Sequence, residues 1–328
     1  MHNDFFLTQW LFLGMRWLFE NITGESIALT VVISTILIKA ITVFGDIKSR
    51  KSSAKMQVIQ PQMNKLQKKY ENDPQRLQRE MSKLMKENNV SMFGGCLPML
   101  FTLPLFFIFI AAFRQWGNEM MVHLIATLHT DPEAGVEMFK NFQFLWVHNI
   151  WQPDSGMQPV ITSAEMLFTN SNIHRLFYFT EHPEAFELFK ELGFFVESTA
   201  KGSYNGVVIA ELTDELIAKY DAIVKPCVDL YAGYNNGWFV LPLLCGGTTL
   251  LSAWLMQRGQ AQPAGNAAST GKMMMYLMPI MTFVFSLSTN ASFALYWTVS
   301  NVISMITTYF INKSIGIGPA AAKEVSKT

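Results

Sequence analysis

Five long apolar runs separated by polar segments dominate the pattern of this sequence. In the first run, residues 26–44, the only charged side chain is Lys39. A helix of about 20 apolar residues is long enough to cross a bilayer. The pattern therefore predicts an all-α membrane protein with five transmembrane helices, at residues 25–45, 93–116, 238–257, 272–289 and 290–312.

The N-terminal segment, residues 1–24, is apolar over too short a length to span a membrane. Gln9, Arg16 and Glu20 lie seven and four residues apart on one helical stripe, and apolar residues fill much of the remainder. This arrangement is typical of an amphipathic helix that lies in a membrane interface. A short sixth span is the alternative.

Residues 46–92 carry a second periodic pattern on both sides of Asp73 and Pro74. Asp73 is a favourable helix cap, and Pro74 suits the first position of a helix. We therefore expect a helical hairpin whose outer faces are basic, which favours contact with anionic lipid or ribosomal RNA as much as simple solvation. Its expected apolar seam comprises Met56, Ile59, Met63, Leu66, Tyr70, Leu77, Met81 and Leu84.

The charges set the orientation, although the chain has no net charge. Basic residues concentrate in residues 46–92, and the positive-inside rule places such a segment in the cytoplasm. Alternation then places the loop 258–271 and the short tail 313–328 in the cytoplasm as well. The N-terminus and residues 117–237 are expected outside.

The outer segment 117–237 is acidic and rich in aromatic residues. Its aromatic content is too high for a disordered linker. We expect a small folded insertion domain that contacts the outer membrane surface or a partner. Its carboxylates, Glu181 among them, match no calcium loop, and its histidines match no zinc pattern. They are interpreted as a solvated surface, and no metal site is expected.

Lys39 is the strongest candidate for function. A lysine within a membrane helix costs roughly 2.5 to 3.5 kcal/mol on insertion scales, so it needs either a role or a route to the interface along its own stem. The spans contain neither an aspartate nor a histidine, and the chain has no nucleotide-binding loop. We therefore expect no enzyme activity, no catalytic residue and no cofactor.

Several motifs carry a family resemblance. They are SMFGGCLPMLFTLP from Ser91, MQVIQPQMNKLQKKY in the basic hairpin, KMMMYLMPIMTFVF from Lys272 and ALYWTVSN from Ala294. The chain resembles the YidC-type (YidC/Oxa family) membrane protein insertases over roughly residues 10–116 and 238–313. Three features depart from that pattern: a lysine replaces the usual groove arginine, the outer insertion is longer, and the tail is short.

The resemblance implies a polar groove within the membrane, with Lys39 as its positive residue. Tyr296 and Trp297 match an aromatic place along which an entering segment slides. The residues implied to hydrate the groove are Ser34, Thr35, Thr102, Thr298, Ser300 and Asn301. Ordinary hydrogen bonding between helices is an alternative for these residues, and the better one for Thr102 and Ser300 taken singly.

The function implied is insertion and folding of integral membrane proteins in the bacterial cell membrane. The partners would be nascent hydrophobic segments and lipids, with the ribosome and the Sec translocon left open and no sequence-specific nucleic acid. Two alternatives remain at this point. One is a secondary transporter or ion pathway that uses Lys39 as a coupling or anion site, although no inverted repeat is evident. The other is a scaffold that binds partners through the outer domain.

Overall fold

The computed structural model describes residues 6–88, 97–169, 172–200, 203–257 and 266–315, which are mostly helical. The predicted all-α class is confirmed at that level, and the number of membrane spans stays a prediction. The elements are α1 (Phe6–Asn21), α2 (Ile27–Lys69), α3 (Pro74–Glu87), α4 (Leu97–Thr130), α5 (Pro132–Lys140), α6 (Ala164–Thr169), a 3-10 turn (Ile173–Arg175), α7 (Tyr178–Glu181), α8 (Pro183–Glu191), β1 (Phe195–Glu197), β2 (Val207–Ile209), α9 (Asp214–Leu230), α10 (Val240–Gln257), α11 (Asn266–Ser286) and α12 (Ala291–Ile315).

One helical segment of the described residues, Ile27–Lys48, is long and apolar enough to cross a membrane, with a mean hydropathy of 2.3. Two shorter apolar segments, Val240–Leu255 and Met275–Ser286, belong to α10 and α11. The first of the three coincides with the predicted first span. The other two coincide with parts of the predicted third and fourth spans.

The first span and the first arm of the hairpin form one continuous helix. α2 runs for 43 residues, through the boundary expected at residue 45 and through Pro61. Gly45 lies at that boundary, but a helical glycine costs only about 1 kcal/mol relative to alanine and does not end a helix by itself. No loop therefore separates the predicted first span from the first arm of the hairpin.

The hairpin closes through the cap that its sequence predicts. The Asp73 side chain accepts a hydrogen bond of 3.0 Å from the Arg76 backbone N–H, and Pro74 begins α3. The buried seam consists of Ile59, Met63 and Met85, with Met81 and Leu84 packed against it. Met85 was not part of the expected seam, and the side chain of Met56 lies outside the described residues. The hairpin thus buries part of its apolar seam within itself, whereas Leu66, Tyr70 and Leu77 are half-buried.

Contacts divide the chain into two compact units. The first unit combines α1 with residues 108–242 and 285–295. The outer insertion is folded around aromatic side chains that are almost fully buried, and β1 and β2 form a short antiparallel pair in it. The largest of these aromatic side chains are Phe139, Phe142, Phe189, Phe194 and Tyr220. The insertion therefore shares a unit with α1 and the start of α12.

Within this unit, an ion cluster links α1 to the outer insertion. The Arg16 guanidinium lies 2.7 Å from the Glu20 carboxylate, 3.2 Å from Glu119 and 2.5 Å from Glu181. Glu181 is 39% exposed, as expected for a surface carboxylate, but it also forms an ion pair that the sequence did not predict. The sequence could not reveal the pair, because Arg16 and Glu181 lie far apart in the chain and only the fold brings them together.

Burial raises the pKa of the Glu119 carboxyl to about 7. Removal from water is the largest cause, the Arg16 guanidinium opposes it, and Glu181 and Glu20 add repulsion. The shift is upward because the cost of removing the charged carboxylate from water exceeds the attraction of the Arg16 guanidinium.

A second buried carboxylate organises the start of α10. The Asp154 side chain is fully buried and accepts hydrogen bonds from the backbone N–H groups of Trp238 (2.6 Å), Phe239 (3.0 Å) and Leu241 (2.7 Å). These donors have no partner within the helix, so Asp154 acts as a cap supplied by a distant loop. Gly237 has a φ of +77°, and a side chain there would collide with the Asp154 carboxylate.

We expect Glu119→Gln to gain stability relative to the parent as the pH rises. The native carboxyl titrates near 7 and the unfolded one near 4.5, so between these values the native parent holds a proton that its unfolded chain has lost. Parent stability from this group therefore falls as the pH rises, by at most about 1.4 kcal/mol per pH unit. Glutamine mimics the neutral form and has no such loss. Melting temperatures in detergent between pH 5 and pH 8 measure the difference.

The matched control is Glu20→Gln, because Glu20 binds the same guanidinium but its side chain is half exposed. The control should not show the gain. His123, whose pKa burial lowers, is present in all three chains, so its own pH dependence cancels in the comparison. Lower stability of Glu119→Gln at pH 8 would show that the ion pair with Arg16 outweighs the cost of burial.

Candidate functional site

The second compact unit, residues 32–107, 243–284 and 296–328, contains every candidate groove residue. Its polar contacts connect α10 with α12. The Trp297 indole N–H donates to the Thr249 hydroxyl at 3.0 Å. The Asn301 amide donates to the same hydroxyl at 2.9 Å and to the Thr248 hydroxyl at 3.1 Å. Trp297 and Asn301 lie one turn apart on α12 and therefore share a face.

The Thr249 hydroxyl uses its full hydrogen-bonding capacity. It donates to the Cys245 carbonyl at 2.7 Å and accepts from both Trp297 and Asn301. A hydroxyl has one donor and two acceptor positions, so no further partner is needed. The Thr298 hydroxyl lies 3.7 Å from the Cys245 sulfur and extends the same contact. Thr248 and Thr249 were not among the residues predicted from the sequence.

Two aromatic side chains of α12 differ in their surroundings. Trp297 is partly exposed and meets the Phe106 ring edge-on, with 5.1 Å between the ring centroids. Tyr296 is buried, and its hydroxyl is hydrogen-bonded to the buried Ser300. Trp297 therefore faces the polar cluster of α10, whereas Tyr296 is enclosed by protein.

Lys39 of α2 contacts α12 at Ser304, which is closer to the C-terminus than Trp297 and Asn301. Its ammonium donates to the Ser304 hydroxyl at 2.8 Å, and the nearby carboxylate that acts on it electrostatically is Asp46. The lysine is neither fully buried nor exposed. Ser304 was not among the residues predicted from the sequence, although it follows Asn301 by three residues and so continues the same polar face.

The remaining candidates lie on α2 and α4. Thr35 is buried and one turn before Lys39, on the same side of α2. Ser34 is also buried, and its hydroxyl has no hydrogen-bond partner among the described residues. The side chain of Thr102 lies outside the described residues. A buried hydroxyl without a protein partner is rare and indicates a place for water or for an incoming polar group.

The structure thus places some of the candidates in two groups of contacts that α12 makes with other helices. Trp297, Thr298 and Asn301 bind α10, and Ser304 binds Lys39 of α2. Among the described residues, no group of three or more His, Cys, Asp or Glu is placed to hold a metal ion. The arrangement offers hydroxyl and amide groups of α10 and α12 together with the ammonium of Lys39 on α2.

A family model described as "60Kd inner membrane protein" matches residues 18–317. The chain belongs to the 60Kd inner membrane protein family. The resemblance to YidC-type insertases that the motifs carry is confirmed, and the chain is an inner membrane protein of mostly helical structure. The matched range contains both groups on α12, Lys39 and the outer insertion.

Relatives of the 60Kd inner membrane protein family show the same likeness. The chain is 26% identical over 290 residues to the "Membrane protein insertase YidC" of Clostridium perfringens. The matched residues are 88% of this chain and 79% of that protein. A protein of the same name from Clostridium tetani is 36% identical over 129 residues, 39% of this chain and 50% of the relative. One from Anaeromyxobacter is 25% identical over 318 residues, 97% of this chain but 38% of the relative.

We expect Thr249→Val to destabilise the unit, because it removes the acceptor of the Trp297 indole N–H and one acceptor of Asn301. A buried donor that loses its partner costs about 1–3 kcal/mol, and measured interhelical bonds in membranes average about 0.6 kcal/mol. Thermal unfolding in detergent measures the loss. Thr282→Val is the control, because the Thr282 hydroxyl bonds the Met278 carbonyl of its own helix. Equal melting of the two variants would contradict the bridging role.

Proposed function

We propose that this chain is a membrane protein insertase, which inserts and helps fold integral membrane proteins without nucleotide, metal or covalent catalysis. The observation that carries the proposal is the polar face of α12, where Asn301 binds the α10 hydroxyls and Ser304 binds Lys39. Family membership and the names of the relatives agree with it.

The physical problem of insertion is the polar flank of a hydrophobic segment. Each charged group at the bilayer centre costs several kcal/mol, and an unpaired polar group is also costly there. A groove lined with hydroxyl and amide groups admits water and shortens the apolar path that the flank has to cross. Ser34 is buried and has no hydrogen-bond partner in the part of the chain that the structure describes, so it is suited to hold such water.

Lys39 supplies the positive charge of the proposed groove. An ammonium is a compact point charge on a flexible stem, so it attracts an acidic or polar flank without the two-pronged geometry of a guanidinium. Its bond to Ser304 is to a neutral hydroxyl, and an incoming carboxylate would compete with that hydroxyl favourably because charge-assisted bonds are stronger. Trp297, partly exposed beside the α10 hydroxyls, suits contact with the passing segment.

The proposed groove contains Ser34, Thr35, Lys39, Thr102, Tyr296, Trp297, Thr298, Ser300 and Asn301, with Thr248, Thr249 and Ser304 added. The proposed topology has five spans, with the N-terminus and the insertion outside and the hairpin and C-terminus in the cytoplasm. The basic charge of the hairpin supports that orientation. The proposed partners are nascent hydrophobic segments and membrane lipids.

The Lys39 series tests the mechanism. Lys39→Arg should retain activity, Lys39→Ala should lose activity most for substrates with acidic translocated tails, and Lys39→Glu should be worse for those substrates because like charges repel. The measurement is insertion into liposomes of two single-span substrates that differ only in an acidic or a neutral tail. Lys313→Ala is the matched control, because Lys313 is an exposed cation near the end of α12.

Two outcomes would contradict the proposal. Equal insertion of both substrates by Lys39→Ala would remove the electrostatic role. Solute flux through the parent protein, without stimulated insertion, would favour the transporter alternative instead.

The topology is tested by labelling from the two sides of the membrane. A cysteine at Lys68 in the hairpin should be labelled from the cytoplasmic side, and one at Glu187 in the insertion from the outer side. Both positions are exposed, and the three native cysteines, Cys96, Cys227 and Cys245, are first replaced by alanine. Labelling of both positions from the same side would exclude the five-span arrangement.

A further inference from the structure

Four apolar side chains, three in the outer insertion and Trp238 directly after it, are far more exposed than the other apolar side chains of the insertion. Leu145, Met157, Tyr234 and Trp238 are 65, 65, 66 and 70% exposed. The next most exposed large apolar side chain among the described residues of the insertion is Val228, at 47%. Single exposed apolar residues are common, but a group in one place indicates a binding surface.

Two of the four are brought together by the buried Asp154 carboxylate. Trp238 donates its backbone N–H to this carboxylate at 2.6 Å. The Trp146 indole N–H donates to it at 2.9 Å, and Trp146 directly follows Leu145. The loop that carries Leu145 and the segment that carries Trp238 are therefore bound to the same buried group.

The other two belong to segments that are hydrogen-bonded to each other. The Asn235 amide donates to the Gly156 carbonyl at 3.0 Å, and the Gly156 N–H donates to the Asn236 carbonyl at 2.9 Å. Met157 and Tyr234 are the immediate neighbours of these residues in the chain. The loop 153–158, which contains Asp154, is thus hydrogen-bonded to both of the other loops, residues 143–148 and 233–239. We call the side chains of Leu145, Met157, Tyr234 and Trp238 the outer rim.

The backbone holds Leu145 at the tip of its loop. Leu145 has a φ of +53°, a region that side chains other than glycine rarely adopt. Hydrogen bonds between Phe144 and Val147, of 2.8 and 2.9 Å, close the turn around it. A rare conformation persists where the surrounding structure enforces it, often at functional positions. Here it keeps a large aliphatic side chain exposed.

The charge of these loops differs from that of the acidic insertion around them. Residues 143–148, 153–158 and 233–239 contain one carboxylate, the buried Asp154, and no lysine or arginine. Exposed apolar side chains with no lysine, arginine or exposed carboxylate beside them fit a lipid interface, because no charge there has to leave water. Tryptophan and tyrosine are the residues enriched at that level of a membrane.

The position of the rim also points to lipid. Trp238 lies two residues before Val240, where α10 begins, and α10 contains the apolar segment of the predicted third span. We propose that the outer rim inserts into the outer leaflet at the boundary of headgroups and acyl chains, beside the point where α10 enters the membrane. This proposal rests on the topology given under the proposed function. It gives the insertion a lipid-binding surface with named residues.

The test uses the full chain in vesicles of phosphatidylcholine and phosphatidylglycerol, with its native cysteines replaced by alanine. Single cysteines at Leu145 or Met157 carry an environment-sensitive fluorophore. Both positions are remote in sequence from every predicted span, unlike Trp238, so their depth is not fixed by a neighbouring helix. Controls are cysteines at Val196 and Met166, which are exposed apolar positions of the same insertion.

Lipids with a quencher near the headgroup should quench the labels at Leu145 and Met157 several-fold more than the control labels. Iodide added outside should show the reverse order. Equal access of iodide to all four labels would overturn the proposal that the outer rim inserts into lipid, and it would leave the proposed topology intact. Rim labels shielded from iodide but not quenched by lipid would overturn it as well, because protein would then cover the surface. Control labels that external iodide cannot reach would refute the outside placement of the insertion itself.

Discussion

Hydrocarbon offers no water to a polar side chain, so the hydroxyl and amide groups on membrane helices must find partners within the protein or in a hydrated cavity. Thr249 meets this constraint completely, with one bond given to its own helix and two received from α12. Lys39 meets it with the Ser304 hydroxyl. Ser34 does not meet it within the described residues. The residues of the proposed groove therefore differ in how far their hydrogen-bonding capacity is used: fully at Thr249 and, among the described residues, not at all at Ser34.

Local signals in the sequence predicted local structure well. The Asp73 cap and the seam at Ile59 and Met63 follow from spacing and capping preferences, and both are confirmed. The polar face of α12 was predicted in part through Trp297, Thr298 and Asn301. Its partners Thr248 and Thr249 were not, because a threonine within an apolar run more often bonds its own helix and carries no distinct signal. Helix pairing decides which hydroxyls matter.

Contacts between distant parts of the chain could not be predicted in the same way. Arg16 meets Glu119 and Glu181, and Asp154 caps a helix that begins 86 residues later in the chain, at Val240. No periodicity links such positions. These contacts also change the picture of the insertion, which the sequence presents as a segment between two spans. In the folded chain it supplies the acceptor that starts α10 and the carboxylates that hold α1.

The continuity of α2 has a mechanical consequence. Lys39 and the basic hairpin arm lie on one rod, and the 29 residues from Lys39 to Lys68 correspond to roughly 44 Å of helix. Without a loop between them, the two cannot turn independently, and Pro61 is the position where this helix bends most easily. A displacement of the hairpin end of α2 is therefore passed along the helix to the turn that carries Lys39.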